Sequence, residues 1–142
     1  MKTVSTLFAL CALALSIPAA GQYVANCNDG CTVVITPPAV CNPGAFKAVP
    51  EPIIVDSGKS PMITWQLAGD AWKFDAVKGI DIAKWPEPAP AFDNKKPAAS
   101  GRNYTVKNVH RKKGVYKYDV NVVATTGNPP ATCKWDPTIV NW

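Results

Sequence analysis

The chain contains a single histidine, which limits the acid–base chemistry available to it. This residue opens the run His110-Arg111-Lys112-Lys113, whose cationic members disfavour the protonated imidazole that a general base must form. None of the serines follows the Gly-x-Ser-x-Gly pattern of a hydrolase nucleophile. We therefore predict that the protein is not an enzyme and interpret His110 as an exposed turn residue.

The segment Gly58-Lys59-Ser60 matches the end of a phosphate-binding loop. The full motif also requires a glycine five residues before Gly58, where the chain has Ile53. It requires a helix after the serine, whereas Pro61 leads into a predicted strand. We interpret the segment as a hairpin turn.

Residues that could hold a metal ion are sparse. Glu51 and Glu87 are the only glutamates, and both adjoin prolines. Asp75 and Asp81 flank a predicted turn, but their spacing does not match a calcium-binding loop. A calcium ion bound by a loop stays an alternative, and we predict no cofactor and no metal site.

Positive charge concentrates in the run at 110–113, with Lys107 and Lys117 close by in the sequence. If Val109 and Val115 begin the two arms of a hairpin, these charges gather at its tip. Such a tip could bind an anionic partner, for example lipid A, teichoic acid or an acidic protein. The alternative is that the charges prevent edge-to-edge aggregation.

Five tryptophans are many for a chain of this length. Trp65 lies in the middle of an alternating segment, so we expect it to be buried. Trp85 and Phe92 lie in the proline-rich segment 84–101, which we predict to be a loop crossing one end of the domain. Aromatic rings there could stack on sugars or anchor a partner protein. The alternative is that they plug the open end of the core.

The first residues have the pattern of a secretory signal peptide. Lys2 precedes an apolar run at 4–17, and Ala19 and Gly21 suit the small positions of a cleavage site. The run is shorter than the roughly 20 residues that a spanning helix needs. We predict a signal peptide at 1–21 and an exported domain at 22–142, periplasmic or secreted, with no membrane span.

Four cysteines follow the predicted signal peptide: Cys27, Cys31, Cys41 and Cys133. An even number in an exported chain predicts two disulfides. We favour Cys27 with Cys31, since the intervening Asn-Asp-Gly is typical of a turn. Cys41 and Cys133 would then close a long loop. A zinc site is the alternative, but the cysteine spacing is not that of zinc ligands.

The remaining elements are short β-rich runs separated by 14 prolines and 9 glycines. We predict strands at 31–36, 52–55, 62–67, 72–74, 79–82, 103–109, 115–123 and 138–140. Apolar and polar residues alternate in 62–67 and 115–123, as in antiparallel strands that cover a core on one side. About seven such strands predict a single Greek-key β-sandwich.

The succession of runs ITWQL, WKF, GIDI, NYTV and GVYKYDVNV resembles the strand sequence of cupredoxin-like and immunoglobulin-like sandwiches. The chain is also similar to small exported bacterial proteins that end in a Cys…Asp-Pro-x-Ile-x-Asn tail. Here that tail consists of Cys133, Asp136, Pro137, Ile139 and Asn141. The resemblance implies a β-sandwich fold.

Cupredoxins hold copper with two histidines, a cysteine and usually a methionine, and the cysteine follows a Gly-x-Tyr-x-Tyr stretch. Gly114 to Tyr118 matches this stretch, but Asp119 and Val120 follow it. With His110 as its one histidine, the chain lacks the ligands of a blue-copper site. The resemblance therefore implies the fold without copper, and a degenerate metal or redox protein stays an alternative.

We expect a non-catalytic exported protein that acts by binding or by assembly in the cell envelope. Its partner would be an anionic envelope component, a glycan or another protein, and nucleic acid is not expected. The alternative form of this hypothesis is a polyanion- or glycan-binding module that uses the basic tip or the tryptophan loop. The candidate binding residues are Trp85, Phe92, Lys107, His110, Arg111, Lys112 and Lys113.

Overall fold

The computed structural model describes residues 25–82, 92–109 and 113–142. The predicted signal peptide, Trp85, His110, Arg111 and Lys112 lie outside these residues. The described strands are β1 (Ala25–Asn26), β2 (Cys31–Thr36), β3 (Lys47–Val49), β4 (Ile53–Val55), β5 (Met62–Leu67), β6 (Trp72–Phe74), β7 (Ile80–Ile82), β8 (Phe92–Pro97), β9 (Asn103–Asn108), β10 (Gly114–Gly127), β11 (Pro130–Trp135) and β12 (Thr138–Asn141). A 3-10 turn spans Pro43–Ala45. Among the described residues, no helix is long and apolar enough to cross a bilayer.

The strands form two sheets, which confirms the predicted all-β class. The five-stranded sheet has the order β3-β2-β5-β9-β8. The seven-stranded sheet has the order β1-β4-β12-β10-β11, and β6 and β7 also pair with β10. β10 is therefore the central strand of the larger sheet.

β10 pairs with β11 and β12 as though these were one strand. Val122 lies opposite Cys133, and Tyr116 lies opposite Ile139 in the same register. Between them, the backbone N–H of Tyr118 donates to the carbonyl of Pro137 (3.1 Å). The chain thus forms one long hairpin whose return arm bends at residues 136–137.

Three neighbouring pairs of described strands run parallel: β1 with β4, β4 with β12, and β2 with β5. The interpretation of 62–67 as an antiparallel strand is therefore correct for its pairing with β9 but wrong for its pairing with β2. Parallel neighbours need a long connection, because the chain must return to the same end of the sheet. Residues 37–61 provide it for β2 and β5, passing through β3 and β4.

The structure contains strands that the sequence pattern did not predict, namely β1, β3, β8 and β11. The prediction of a loop over 84–101 is wrong for residues 92–97, which form β8. β8 lies at the edge of its sheet, and Pro97 is its last residue. Proline cannot donate the backbone N–H that a strand inside a sheet needs. It is tolerated in an edge strand and at a strand end because no neighbouring strand requires that N–H there.

Two turns predicted to close hairpins instead connect the two sheets. β4 belongs to the seven-stranded sheet and β5 to the five-stranded sheet, so Gly58-Lys59-Ser60 does not form a hairpin turn. β9 and β10 likewise belong to different sheets. Val109 and Val115 therefore do not begin the two arms of one hairpin, and that expectation is wrong.

One hydrophobic core receives side chains from both sheets. Ile63, Trp65 and Leu67 of β5 are buried, as the alternation predicts. On β10, the buried face consists of Tyr116, Tyr118, Val120 and Val122. Trp65 packs on Tyr118 with ring centroids 5.2 Å apart, which joins the two central strands across the core.

Both predicted disulfides are present. Cys27 pairs with Cys31, and Cys41 pairs with Cys133 across 92 positions of sequence. The second bond holds the connection that contains the 3-10 turn against β11. In the same place, the ring of Phe46 stacks on Trp135 with centroids 5.7 Å apart. β11 is therefore tied covalently and by packing to a segment far away in sequence.

Two buried amide side chains join the sheets at the ends of β9 and β12. Asn108 Nδ2 donates to Asn141 Oδ1 (2.7 Å), and Asn141 Nδ2 donates to Asn108 Oδ1 (3.3 Å). Both residues are almost fully buried. Asn141 and the core residue Ile139 are the last two members of the tail motif, so these positions have a structural role.

Candidate functional site

Phe92 has little surface to offer a ligand. Its side chain is only 6% exposed, and its ring meets the edge of Tyr116 with centroids 5.2 Å apart. Phe92 therefore packs into the core, in agreement with the alternative that the aromatic rings of this segment plug its open end. Its predicted partner Trp85 lies outside the described residues.

Lys107 and Lys113, two of the predicted binding residues, lie at different sheets. Lys107 is a half-buried residue of β9, opposite Met62 in the five-stranded sheet. Lys113 is exposed and directly precedes β10 of the seven-stranded sheet. The structure therefore gives Lys113 a different set of neighbours from those of Lys107.

A row of apolar side chains lies on the outer face of the seven-stranded sheet. Val115 on β10 pairs with Val140 on β12, and Val140 pairs with Ile54 on β4. The neighbours of these residues along each strand point into the core, so the row points outward. Val115 is 52% exposed, and the other two are half-buried.

Trp142 extends this row beyond β12. Its backbone N–H donates to the carbonyl of Val55 (2.9 Å), which fixes the residue beside β4. Its side chain is 59% exposed. Val115, Val140, Ile54 and Trp142 together are called the Trp142 face.

Lysines flank the Trp142 face along β10. Lys113 precedes Val115 by two residues, and Lys117 follows it by two residues on the same side of the strand. Lys117 forms an ion pair with Asp136 (3.4 Å) in which both side chains are largely exposed. Exposed pairs of this kind are weak and screened by salt, so Lys117 stays available to other anions.

Sequence reasoning missed this surface, although one signal pointed to it. In the alternating run of β10, Val115 shares the polar face with Lys117, Asp119 and Asn121. A valine at this position breaks the pattern without contributing to the core. An exposed apolar residue in an otherwise polar row is a sign of a contact surface only when its cross-strand neighbours are apolar too.

A second polar cluster, which consists of Glu51 and the two groups that donate hydrogen bonds to it, lies at the border of the core. Tyr118 Oη donates to Glu51 Oε2 (3.1 Å), and the backbone N–H of Thr138 donates to Oε1 (2.7 Å). Burial raises the pKa of Glu51 to about 7, and this effect outweighs the two hydrogen bonds, which lower it. Burial and the nearby carboxylate also raise the pKa of Tyr118.

The raised pKa makes the stability of the protein depend on pH. The folded protein keeps the proton on Glu51 to a higher pH than the unfolded chain does. The stabilisation that the protonated Glu51 side chain provides is therefore complete below pH 4.5 and is lost as the pH rises through about 7. After allowance for solvent screening, we expect the free energy of unfolding to fall by about 2 kcal/mol over this interval.

Urea denaturation at several pH values checks this expectation. Glu51→Gln should remove most of the fall, whereas Asp29→Asn, a change at an exposed carboxylate, should preserve it. An equal pH dependence in the wild type and Glu51→Gln would show that other groups are responsible.

Within the described part of the chain, no three His, Cys, Asp or Glu side chains come together in a way that could hold a metal ion. No family model matches this chain, and no curated protein matches it.

Proposed function

We propose that the protein is an exported, non-catalytic Greek-key β-sandwich, similar to cupredoxin-like and immunoglobulin-like domains, that binds an anionic surface of the cell envelope. The Trp142 face is the proposed contact. The observation that carries the proposal is the exposed tryptophan beside an apolar cross-strand row with lysines at its flank.

Export is supported by the cysteine chemistry of the domain. The domain contains two disulfides. Such bonds persist in oxidising compartments and are rare where thiols are kept reduced. The apolar run at 4–17 provides the leader that such a route requires. The proposed location is the periplasm or the cell exterior.

The apolar part of the face suits the border between water and acyl chains. Tryptophan is enriched at this border because its ring is apolar and its indole N–H is polar. Val115 and the half-buried Val140 and Ile54 add apolar area beside it. One weak apolar anchor gives marginal attachment, so a second attraction is needed.

Positive charge supplies the second attraction. The chain has a formal net charge of +5, and removal of the predicted signal peptide would remove only Lys2 among its charges. Lys113 and Lys117 adjoin the face, and each basic residue near an anionic lipid surface contributes roughly 1 kcal/mol. Apolar and electrostatic contacts thus act on the same side of the molecule.

Co-sedimentation with vesicles tests the proposal. The oxidised exported protein should bind phosphatidylcholine vesicles that contain phosphatidylglycerol, and bind pure phosphatidylcholine vesicles much more weakly. Trp142→Ala and Lys113→Ala should each weaken the binding about fivefold, which corresponds to about 1 kcal/mol. Added salt should reduce binding by the wild type more than binding by Lys113→Ala.

Val49→Ser is the matched control. Val49 is as exposed as Val115, at 55% against 52%, but lies on the five-stranded sheet. This variant should bind like the wild type, whereas Val115→Ser should bind less. Equal losses in both variants would contradict a specific face, and binding that ignores the anionic lipid would contradict the partner.

A further inference from the structure

A groove with several charged side chains lies elsewhere on the outer side of the seven-stranded sheet, where β10 and β11 meet the segment tied down by the Cys41–Cys133 disulfide. It consists of two adjoining cavities of about 410 and 360 Å³, both lined by Pro43 and Lys134. Volumes of a few hundred Å³ are typical of small-ligand sites. The name disulfide groove is used for this region, whose charged and amide lining residues are Asp75, Lys78, Asp119, Asn121, Lys134 and Asp136.

Hydrogen bonds inside the protein hold several of these polar groups in place. Asp75 Oδ1 accepts from the backbone N–H groups of Val77 (2.9 Å) and Lys78 (2.8 Å). The bond from Lys78, followed by that from Val77, lowers the pKa of Asp75, so the carboxylate is ionised. Asn121 Nδ2 donates to the carbonyl of Lys78 (2.7 Å). A ligand would meet groups that are already ordered, which lowers the entropic cost of binding.

The opposite end of the groove contains an ion pair beside the segment that the disulfide fixes. Lys134 Nζ lies 2.7 Å from Asp119 Oδ2. Trp135 also borders the second cavity, but it lies opposite the buried Val120 and stacks on Phe46 at an interplanar angle of 9°, so its ring packs toward the core. The disulfide and this stacked pair fix the wall of the groove that comes from the distant segment.

Charge decides which ligand class the groove suits. Asp75, Asp119 and Asp136 oppose Lys78 and Lys134, so the two signs nearly balance. A polyanion would meet the three carboxylates, and a polycation would meet the ammonium groups. An uncharged ligand with many hydroxyl groups can instead donate to the carboxylates and accept from the amide and ammonium groups.

We propose that the disulfide groove binds a neutral carbohydrate. The hydroxyl groups of the sugar rings would face the fixed side chains of Asn121, Asp119 and Lys134 on the outer face of the sheet. This site is separate from the Trp142 face and needs a different partner. It therefore goes beyond the proposed attachment to an anionic surface.

An array of immobilised neutral oligosaccharides built from glucose, galactose, mannose and N-acetylglucosamine tests this site. We expect the oxidised exported protein to retain at least one of them, with little dependence on salt. Calorimetry with that oligosaccharide should then show a loss of tenfold or more in affinity for Asn121→Ala and Lys134→Ala. Lys59→Ala, a change at an exposed lysine outside the groove, should bind like the wild type.

The outcomes separate this proposal from the proposed function. Trp142→Ala should retain the oligosaccharide, and Lys134→Ala should retain the anionic vesicles. Retention of no neutral oligosaccharide, or retention that added salt abolishes, would overturn the carbohydrate site. Affinities unaffected by either groove substitution would overturn its location, provided that circular dichroism shows both variants folded.

Discussion

Replacing Cys41 and Cys133 together with alanine is expected to lower the free energy of unfolding by about 4–5 kcal/mol. The bond joins residues 92 positions apart, so its removal frees a long loop in the unfolded chain. A loss of this size approaches the whole stability of a small domain, which is about 5–15 kcal/mol. Urea denaturation followed by tryptophan fluorescence measures it.

The second disulfide of the same protein provides the control. Cys27 and Cys31 are only 4 positions apart, and the same chain-entropy argument gives about 2 kcal/mol for their removal. The long-range bond should therefore be the more costly one to remove. Equal losses from the two double variants would show that local packing, rather than loop closure, determines their contributions.

Asn108→Leu is expected to cost about 3 kcal/mol, because it leaves the amide of Asn141 buried without its partner. Both side chains are almost fully buried and bond to each other across the two sheets. The loss should appear as a lower urea midpoint with an unchanged slope.

A double-mutant cycle identifies the cause of this loss. Asn108→Leu combined with Asn141→Leu should cost less than the sum of the single variants by about 1–2 kcal/mol, because no amide is then left unpaired. Gln66→Leu, on the exposed side of β5, should change stability by less than about 0.5 kcal/mol. Additive losses at positions 108 and 141 would contradict the paired role of the two amides.

Sequence patterns predicted the strands that cover the core on one side. In β5 and β10, every second residue is apolar, and these are the residues that the structure buries. Period-two alternation is a direct consequence of the pleat, so it is readable without knowledge of the neighbours. The short Cys27–Cys31 loop was predictable for a similar reason, since its turn residues are local.

The missed strands lack this local signal. β3 has three residues, none of them buried, and β11 buries Cys133 alone among its six. Both are edge strands that pair only with the strand before them in the chain, β3 with β2 and β11 with β10, so neither shows the apolar alternation of a strand that covers the core. β8 was missed because the prolines of the wider segment 84–101 indicate a loop, whereas an edge strand tolerates the single proline that β8 contains.

Turn residues likewise do not identify the sheet that the next strand joins. The chain around Gly58 and the basic segment at 109–113 both contain turn or charge signals typical of hairpins. In each case the following strand enters the other sheet. Because β9 and β10 belong to different sheets, Lys107 and Lys113 lie apart, and Lys113 lies beside the Trp142 face. The order of residues alone could not predict this placement.

Tryptophan fluorescence during a titration with anionic vesicles tests the Trp142 face most directly. Trp65 and Trp72 are buried, so the difference between the wild type and Trp142→Ala isolates the exposed indole. We expect this difference signal to shift to shorter wavelength with phosphatidylglycerol vesicles and to stay unchanged with phosphatidylcholine alone. Vesicle binding without any shift of the Trp142 signal would contradict the proposed contact.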